Sequence, residues 1–195
     1  MEALLKVDHP NIVKYHSTYE SEDLLYFIME YCPKGLWDDK QPGQVFSEAE
    51  AAKIMQQCLS AMIHYMLRNL IHRDIKPDNI MFGTDGNVRL CDFGVSSSLH
   101  KDEKEHSEIG SRIFMAPEIF LHNYNKQCDV WSLGVTLYHM VTGNYAFSCK
   151  DGTGYMIKAI KKGIYPPLPK ELSESLRNLI GGMLLVDPEK RLTVA

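Results

Sequence analysis

Residues 72–79 read His72-Arg73-Asp74-Ile75-Lys76-Pro77-Asp78-Asn79. They are too polar and too interrupted by proline to continue a helix, so they form a loop. Just beyond, Ile80, Met81 and Phe82 lead into Gly83-Thr84-Asp85-Gly86, after which Val88 and Leu90 alternate with polar neighbours. That pattern predicts strand, turn and strand with an Asp-Gly turn. A turn centred on Asp85-Gly86 sets an antiparallel register in which Asn79 faces Asp92 across the open end of the hairpin. Two oxygen-bearing side chains then converge, with Asp74 and Lys76 a few residues upstream. Hard oxygen ligands for magnesium beside a base and a cation suit phosphoryl transfer.

Toward the amino terminus, Ser47-Glu48-Ala49-Glu50 is a capping box. Ala51, Ile54, Met55, Cys58, Leu59, Met62, Ile63 and Met66 follow at helical spacing, which predicts a long helix with one buried face. Further upstream, β-branched and aromatic runs at 12–16 and 24–29 flank the polar turn Glu20-Ser21-Glu22-Asp23 and predict a hairpin. Toward the carboxyl terminus, apolar periodic stretches at 130–141, 155–162 and 172–185 are separated by Gly and Pro signals and read as helices. The expectation is an α+β fold, mainly helical after a small strand region, with no repeat or linker to divide it.

At 195 residues and 45% hydrophobic, the chain can bury roughly 70% of the surface its unfolded form exposes, enough for one substantial core. A net charge of -4 gives no global field toward nucleic acid or an anionic membrane. Five cysteines without a C-x-x-C pair disfavour a disulfide framework or zinc site and fit a reducing, cytoplasmic setting. No run approaches the roughly 20 apolar residues that span a bilayer. His9, His64 and His139 lack a second ligand at helical spacing, and a lone histidine is usually a packed or solvated side chain.

His72-Arg73-Asp74 with Lys76, Pro77 and Asn79, then Asp92-Phe93-Gly94, then Ala116-Pro117-Glu118 resemble three signatures of protein kinases in their proper order. Six identities in one eight-residue window arise by chance about once in 10⁷ windows or fewer. The resemblance implies a kinase-like α+β fold, a mainly helical C-terminal lobe with a remnant of the N-terminal lobe sheet. Residues 1–31 would be that remnant, and 32–195 the hinge and larger lobe without its last helix. It also implies ATP and Mg2+: Asp74 would accept the substrate hydroxyl proton, Lys76 would steady the transferred phosphoryl group, and Asn79 and Asp92 would hold magnesium. Met29, Glu30 and Cys32 match the hinge that meets adenine, and Met81 would lie beneath the ring.

Lys76, two residues after Asp74, resembles the serine/threonine class, whose partner is a protein carrying a Ser or Thr acceptor. Ser111 supports this, standing where that class usually has a threonine beside the catalytic loop. The charged, apolar-poor segment 96–109 resembles an activation loop, in which Ser107 is the usual phosphosite and Arg73 its arginine partner. Glu118 and Arg191 resemble a structural ion pair, and Asp129 resembles the acid that braces the catalytic loop, while Trp131 reads as core. Within the superfamily, His9-Pro10-Asn11-Ile12-Val13, Cys128-Asp129-Val130-Trp131-Ser132 and Asp187-Pro188-Glu189-Lys190-Arg191 look most like calcium/calmodulin-dependent and calcium-dependent kinases. No EF-hand loop occurs, so any calcium-sensing region would lie outside this chain.

Neither a G-x-G-x-x-G loop nor a V-A-I-K-like lysine strand occurs in the sequence, so the resemblance implies an incomplete domain of weak activity on its own. The rival expectation is a noncatalytic kinase-like binding module. Intact Asp74, Lys76, Asn79 and Asp92 weigh against it.

Overall fold

The computed structural model describes residues 7–93, 111–121 and 124–194. Its longest helix is α1, Glu48–Met66, and the capping box opens it: Ser47 Oγ accepts the Glu50 N–H at 3.3 Å while Glu50 Oε2 accepts the Ser47 N–H at 2.8 Å. These bonds satisfy two orphan backbone donors of the first turn. The face turned inward carries Ala51, Ile54, Met55, Cys58, Ala61, Met62, Tyr65 and Met66. Ile63, expected inside from its spacing, is exposed, and Ala61 and Tyr65 take the inner stripe.

Helix α2, Gln127–Thr142, is apolar around most of its circumference and forms the centre of the core, with Trp131, Leu133, Val135 and Met140 fully enclosed. A helix apolar on all sides has to be surrounded. It contacts α1, α4 (Glu174–Met183) and the short turn at Ser111–Phe114. Gly134 permits the approach of α4: a Cβ there would lie 2.8 Å from Met183 Cβ. Amphipathic α3, Thr153–Lys162, buries Met156 and Ile160 on the same core. The three later helices overlap the stretches that periodicity indicated, with α2 and α3 starting three and two residues earlier and α4 lying inside its stretch.

Among the described residues the strands form two separate sheets. In the first, β1 (Tyr15–Glu20) and β2 (Leu25–Met29) pair antiparallel around a turn closed by the Ser21 N–H to Leu24 carbonyl bond. All five residues of β2 remain exposed. The first strand begins at Tyr15, later than the 12–16 run suggested. Ile12 instead bridges Leu90 in parallel, and the bonds Val13 N–H to Leu90 O and Leu90 N–H to Asn11 O, both 2.9 Å, anchor this segment to the second sheet. Burial explains the choice, because Ile12 and Val13 are 2% and 4% exposed there.

The second sheet has the order β3-β4-β5: Lys34–Gly35, Ile80–Phe82 and Val88–Leu90. Its hairpin departs from the expected register. Ile80 pairs with Leu90 and Phe82 with Val88, one residue off the predicted alignment. The cause is the turn: Gly83 and Asn87 close the loop through Gly83 N–H to Asn87 O at 2.9 Å, and Gly86 takes φ 75°. Three residues therefore connect the strands, a turn ending in a left-handed glycine, where the Asp-Gly reading assumed two. Cys91 consequently stands opposite Asn79, with its N–H bonded to the Asn79 carbonyl at 2.9 Å, and Asp92 is the next residue along.

Candidate active site

The loop between α1 and β4 is fixed from beneath by one buried carboxylate. Asp129, in the first turn of α2, is fully buried, and its Oδ2 accepts the His72 N–H at 2.8 Å and the Tyr65 hydroxyl at 2.9 Å. Its Oδ1 accepts the Arg73 N–H at 2.9 Å. Two successive amides reach one carboxylate because Arg73 adopts φ 68°, in the left-handed region. A carboxylate out of water costs several kcal/mol unless donors surround it, and these three supply them. Burial, followed by the Asp129 charge, drives the Tyr65 phenol well above its usual range, so it stays a donor.

His72 ties this loop to the segment after β5 that carries Asp92. Its buried ring lies 4.5 Å from the ring of Phe93, Nδ1 accepts the Asp74 N–H at 3.3 Å, and Nε2 bonds the Cys91 carbonyl at 2.9 Å. The tautomer with its proton on Nε2 satisfies both bonds. Asp92 itself has φ 61°, so the chain turns sharply where β5 ends. Spacing alone assigns no individual role to His72 or Tyr65, and Tyr65 lies off the stripe expected for α1 although it is fully buried.

Above this base, the catalytic candidates share one carboxylate. Asp74 Oδ2 pairs with Lys76 Nζ at 2.8 Å and accepts from Asn79 Nδ2 at 3.0 Å. The same amide also donates to the Asp74 carbonyl at 2.7 Å, which leaves Asn79 Oδ1 on the opposite side of the amide group. The side chains of Asp74 and Lys76 are each 19% exposed, enough to meet an incoming group. A 3-10 turn at Pro77–Asn79 carries Asn79 into the mouth of the hairpin. A carboxylate, a cation and an amide oxygen within six residues can accept a proton, balance phosphoryl charge and donate an oxygen to a divalent cation.

Beside the loop lies a cleft of 310 Å³ lined by Val13, Phe27, Met29, Glu30, Tyr31, Cys32, Met81 and Cys91. The structure therefore brings Met29, Glu30, Cys32 and Met81 to one place from two segments. Glu30 is held there by Arg89, whose Nε reaches both carboxylate oxygens at 2.9 and 3.0 Å, and Arg89 also reaches Asp85 at 3.1 Å. Neither pairing was evident in the sequence, since Arg89 alternates within β5 as an ordinary outward residue.

Glu118 and Arg191 form a two-pronged pair at 2.6 and 3.0 Å with both side chains buried. Arg191 also donates to the carbonyls of Leu185, Gln127 and Val186 and lies over the Trp131 ring at 5.2 Å. Arg73 reaches the Tyr124 hydroxyl at 3.0 Å through its guanidinium. Ser107 and the rest of segment 96–109 lie outside the described residues, as does the side chain of Ser111. Among the described residues no helix is long and apolar enough to cross a membrane.

A small sheet over a helical lobe, with a polar loop braced by its central helix, is a kinase-like α+β fold. The chain belongs to the protein kinase domain family, whose model matches residues 1–195. It is 37% identical to sperm motility kinase 3A of Mus musculus over 198 residues, which takes in 100% of this chain and 39% of that protein. The figures for mouse sperm motility kinase 2B are 37%, 100% and 40%. Calcium-dependent protein kinase 5 of Plasmodium berghei is 37% identical over 162 residues, 81% of this chain and 29% of its own length. The chain thus spans about two fifths of the sperm motility kinases it matches.

Proposed function

We propose that this chain carries the catalytic loop of a serine/threonine protein kinase, which moves the γ-phosphoryl group of ATP to Ser or Thr hydroxyls of a protein. The observation that carries this reading is the shared carboxylate: Asp74 bound to both Lys76 and Asn79 at the mouth of the hairpin. Asp74 takes the proton of the incoming hydroxyl, and Lys76 balances charge on the transferred group. Its position two residues after Asp74 supports Ser/Thr acceptors. Asn79 Oδ1 and the Asp92 carboxylate are the hard oxygens that would hold Mg2+, which when bound neutralises charge on the phosphates. The apolar wall made by Met29, Met81 and Val13 suits an adenine ring, with the backbone of Glu30 and Cys32 along its edge.

Asp129 and His72 fix the loop so that Asp74 does not have to be ordered at the moment of reaction. Arg73 and Ser111 take regulatory or positioning roles at the activation segment, Ser107 is its phosphosite, and Glu118, Arg191 and Asp129 are structural. The setting is cytoplasmic. Residues 1–31 belong to the smaller lobe and 32–195 to the larger.

The test compares phosphorylation of Ser/Thr and Tyr peptide pools by the full-length polypeptide containing this chain, with and without Asp74→Ala. Mg2+-dependent labelling of the Ser/Thr pool that drops by about 10²-fold or more in the variant is expected. Unchanged turnover removes Asp74 as the base, and labelling confined to tyrosine removes the substrate class.

A further inference from the structure

Strand β2 pairs with β1 and leaves all five of its residues exposed, so apolar packing does little to place Glu30, the residue that follows it. Polar bonds do so instead. The Glu30 N–H donates to the Lys14 carbonyl at 2.8 Å, and one Glu30 carboxylate oxygen accepts the Lys14 N–H at 3.3 Å. Arg89 Nε reaches both oxygens of that carboxylate, at 2.9 and 3.0 Å, and the Arg89 and Glu30 side chains are only 12% and 24% exposed. A charge-assisted contact this far out of water is among the stronger single bonds a fold makes.

Arg89 is itself fixed from two sides. Its Nη2 pairs with Asp85 at 3.1 Å, and Gly83 leaves space for the guanidinium, since a Cβ there would stand 3.1 Å from Arg89 Cζ and Nη2. The planar fork thereby joins the β4–β5 turn to the segment after β2, a span that the point charge of a lysine does not reproduce. Glu30 borders two cavities: the cleft of 310 Å³ and a second of 340 Å³ that Arg89 and Lys14 also line. Among the described residues lining the first, Arg89 is absent, so its route to that cleft is Glu30.

We propose that Arg89 is a positioning residue for the nucleotide: by gripping the Glu30 carboxylate it fixes the Glu30 carbonyl at the edge of the cleft before the base arrives, and so favours adenine over guanine. This rests on the kinase reading above. The Glu30 N–H is already committed to Lys14, which leaves the carbonyl as the backbone atom this residue offers to a ligand. Adenine carries an amino group that donates to such a carbonyl, whereas guanine carries an oxygen at the same ring position, which repels it. A segment held in place beforehand spares the binding step the cost of ordering it. Arg89 also stands three residues before Asp92, so the bond ties the place for the base to the strand that leads to the proposed metal ligand.

The test uses the full-length polypeptide containing this chain and the variants Arg89→Met, Arg89→Lys and Glu30→Gln. Titration with a fluorescent ATP analogue is expected to show Arg89→Met weakening binding by about tenfold. Arg89→Lys should weaken it less, and binding of the matching GTP analogue should hardly change. KM for ATP should rise in parallel while KM for the peptide holds. Without nucleotide, amide hydrogen exchange at Glu30 should quicken in Arg89→Met. Adding Glu30→Gln to Arg89→Met should weaken ATP no further, because the bond is already gone. Equal weakening toward ATP and GTP, additive effects in the double variant, or ATP affinity unmoved by Arg89→Met each overturn the proposal. If Arg89→Met does not fold, Glu30→Gln decides: it keeps the backbone and an acceptor oxygen and removes only the charge, so ATP affinity should fall by a smaller factor, and unchanged affinity overturns the proposal. Wild-type protein that binds neither nucleotide removes the kinase reading and this inference with it, whereas wild type that binds ATP beside unaltered variants removes the role of Arg89 alone.

Discussion

Asp129 holds the backbone of His72, with its Oδ2 2.8 Å from that N–H, across 57 residues of sequence. The bond sets the loop's height over α2, and Asp129 serves the Arg73 amide and the Tyr65 hydroxyl from the same carboxylate. Asp129→Ala leaves two buried donors and one half-buried donor without an acceptor, each worth up to about 1–3 kcal/mol. The expected loss is about 3 kcal/mol or more, with coupling among the three bonds making it smaller than their sum. Urea unfolding measures the loss, and hydrogen exchange at His72 and Arg73 locates it. Equal protection of those amides in wild type and variant would show that Asp129 does not brace the loop.

The Glu118–Arg191 pair is buried on both sides, so each charge depends on the other. Removing one partner strands the second, at about 3–5 kcal/mol. Glu118→Gln retains hydrogen-bonding atoms and loses the charge, and it is expected to cost less than Glu118→Ala. Arg191→Ala is expected to cost most, because three backbone carbonyls lose their donor as well. A double-mutant cycle in thermal or urea unfolding should give a coupling of about 1 kcal/mol or more. Additive losses would mean that the pair is geometrically close without being energetically linked.

Two glycines with opposite surroundings test the packing of α4. A Cβ on Gly134 would meet Met183 Cβ at 2.8 Å and Leu184 Cδ2 at 3.2 Å, whereas one on Gly181 meets nothing within 4 Å. Gly134→Ala gains helix propensity of about 1 kcal/mol, yet pushing α4 away from α2 costs about 1–3 kcal/mol, so a net loss is expected. Gly181→Ala keeps the gain and should stabilise by about 0.5–1 kcal/mol. Differential scanning calorimetry of the two variants should move the midpoint in opposite directions.

The parts that could be read in advance are those in which a local rule and the tertiary structure agree. The Ser47-to-Glu50 capping box and the α2 run needed no distant partner to be recognised, and loop 72–79 stood out because its polar residues and Pro77 break the helical pattern. The β4–β5 register was misjudged by one residue because a dipeptide signal does not state loop length, and the left-handed Gly86 added a third residue. Ile12 and Val13 looked like the start of β1 because β-branched residues suit any strand; their bonds to Leu90 arise only once β5 exists. The carboxylate network under His72 was legible only through resemblance. Nothing in the spacing of Tyr65, His72 and Asp129 announces that they meet, since long-range hydrogen bonds leave no periodic trace.

His9 and His64 give the anchor of the amino-terminal segment a dependence on pH. Their rings lie 4.9 Å apart, His9 Nδ1 accepts the Asn11 N–H at 3.0 Å, and His9 Nε2 meets Ser60 Oγ at 3.1 Å. Burial first, then His64 and Arg68, lowers the His9 value; burial, then Arg68, lowers that of His64, with Asp8 opposing. His139, elsewhere in the fold, is lowered by burial as well. A base whose folded value is depressed binds its proton more readily in the unfolded chain, so stability is full above about pH 6.5 and declines as pH falls below it. Glu48, Glu50 and Asp85 are also depressed, Glu50 and Asp85 to about 2, but as acids they weaken the fold only as pH drops below the ordinary carboxylate range. The histidine window therefore opens as pH falls below about 6.5, above the range of the carboxylates. Urea midpoints measured across that window should fall as the buffer is acidified. His64→Gln, which removes one of the paired rings and its proton, should flatten the slope, and an equally steep slope in that variant would move the acid sensitivity away from this anchor.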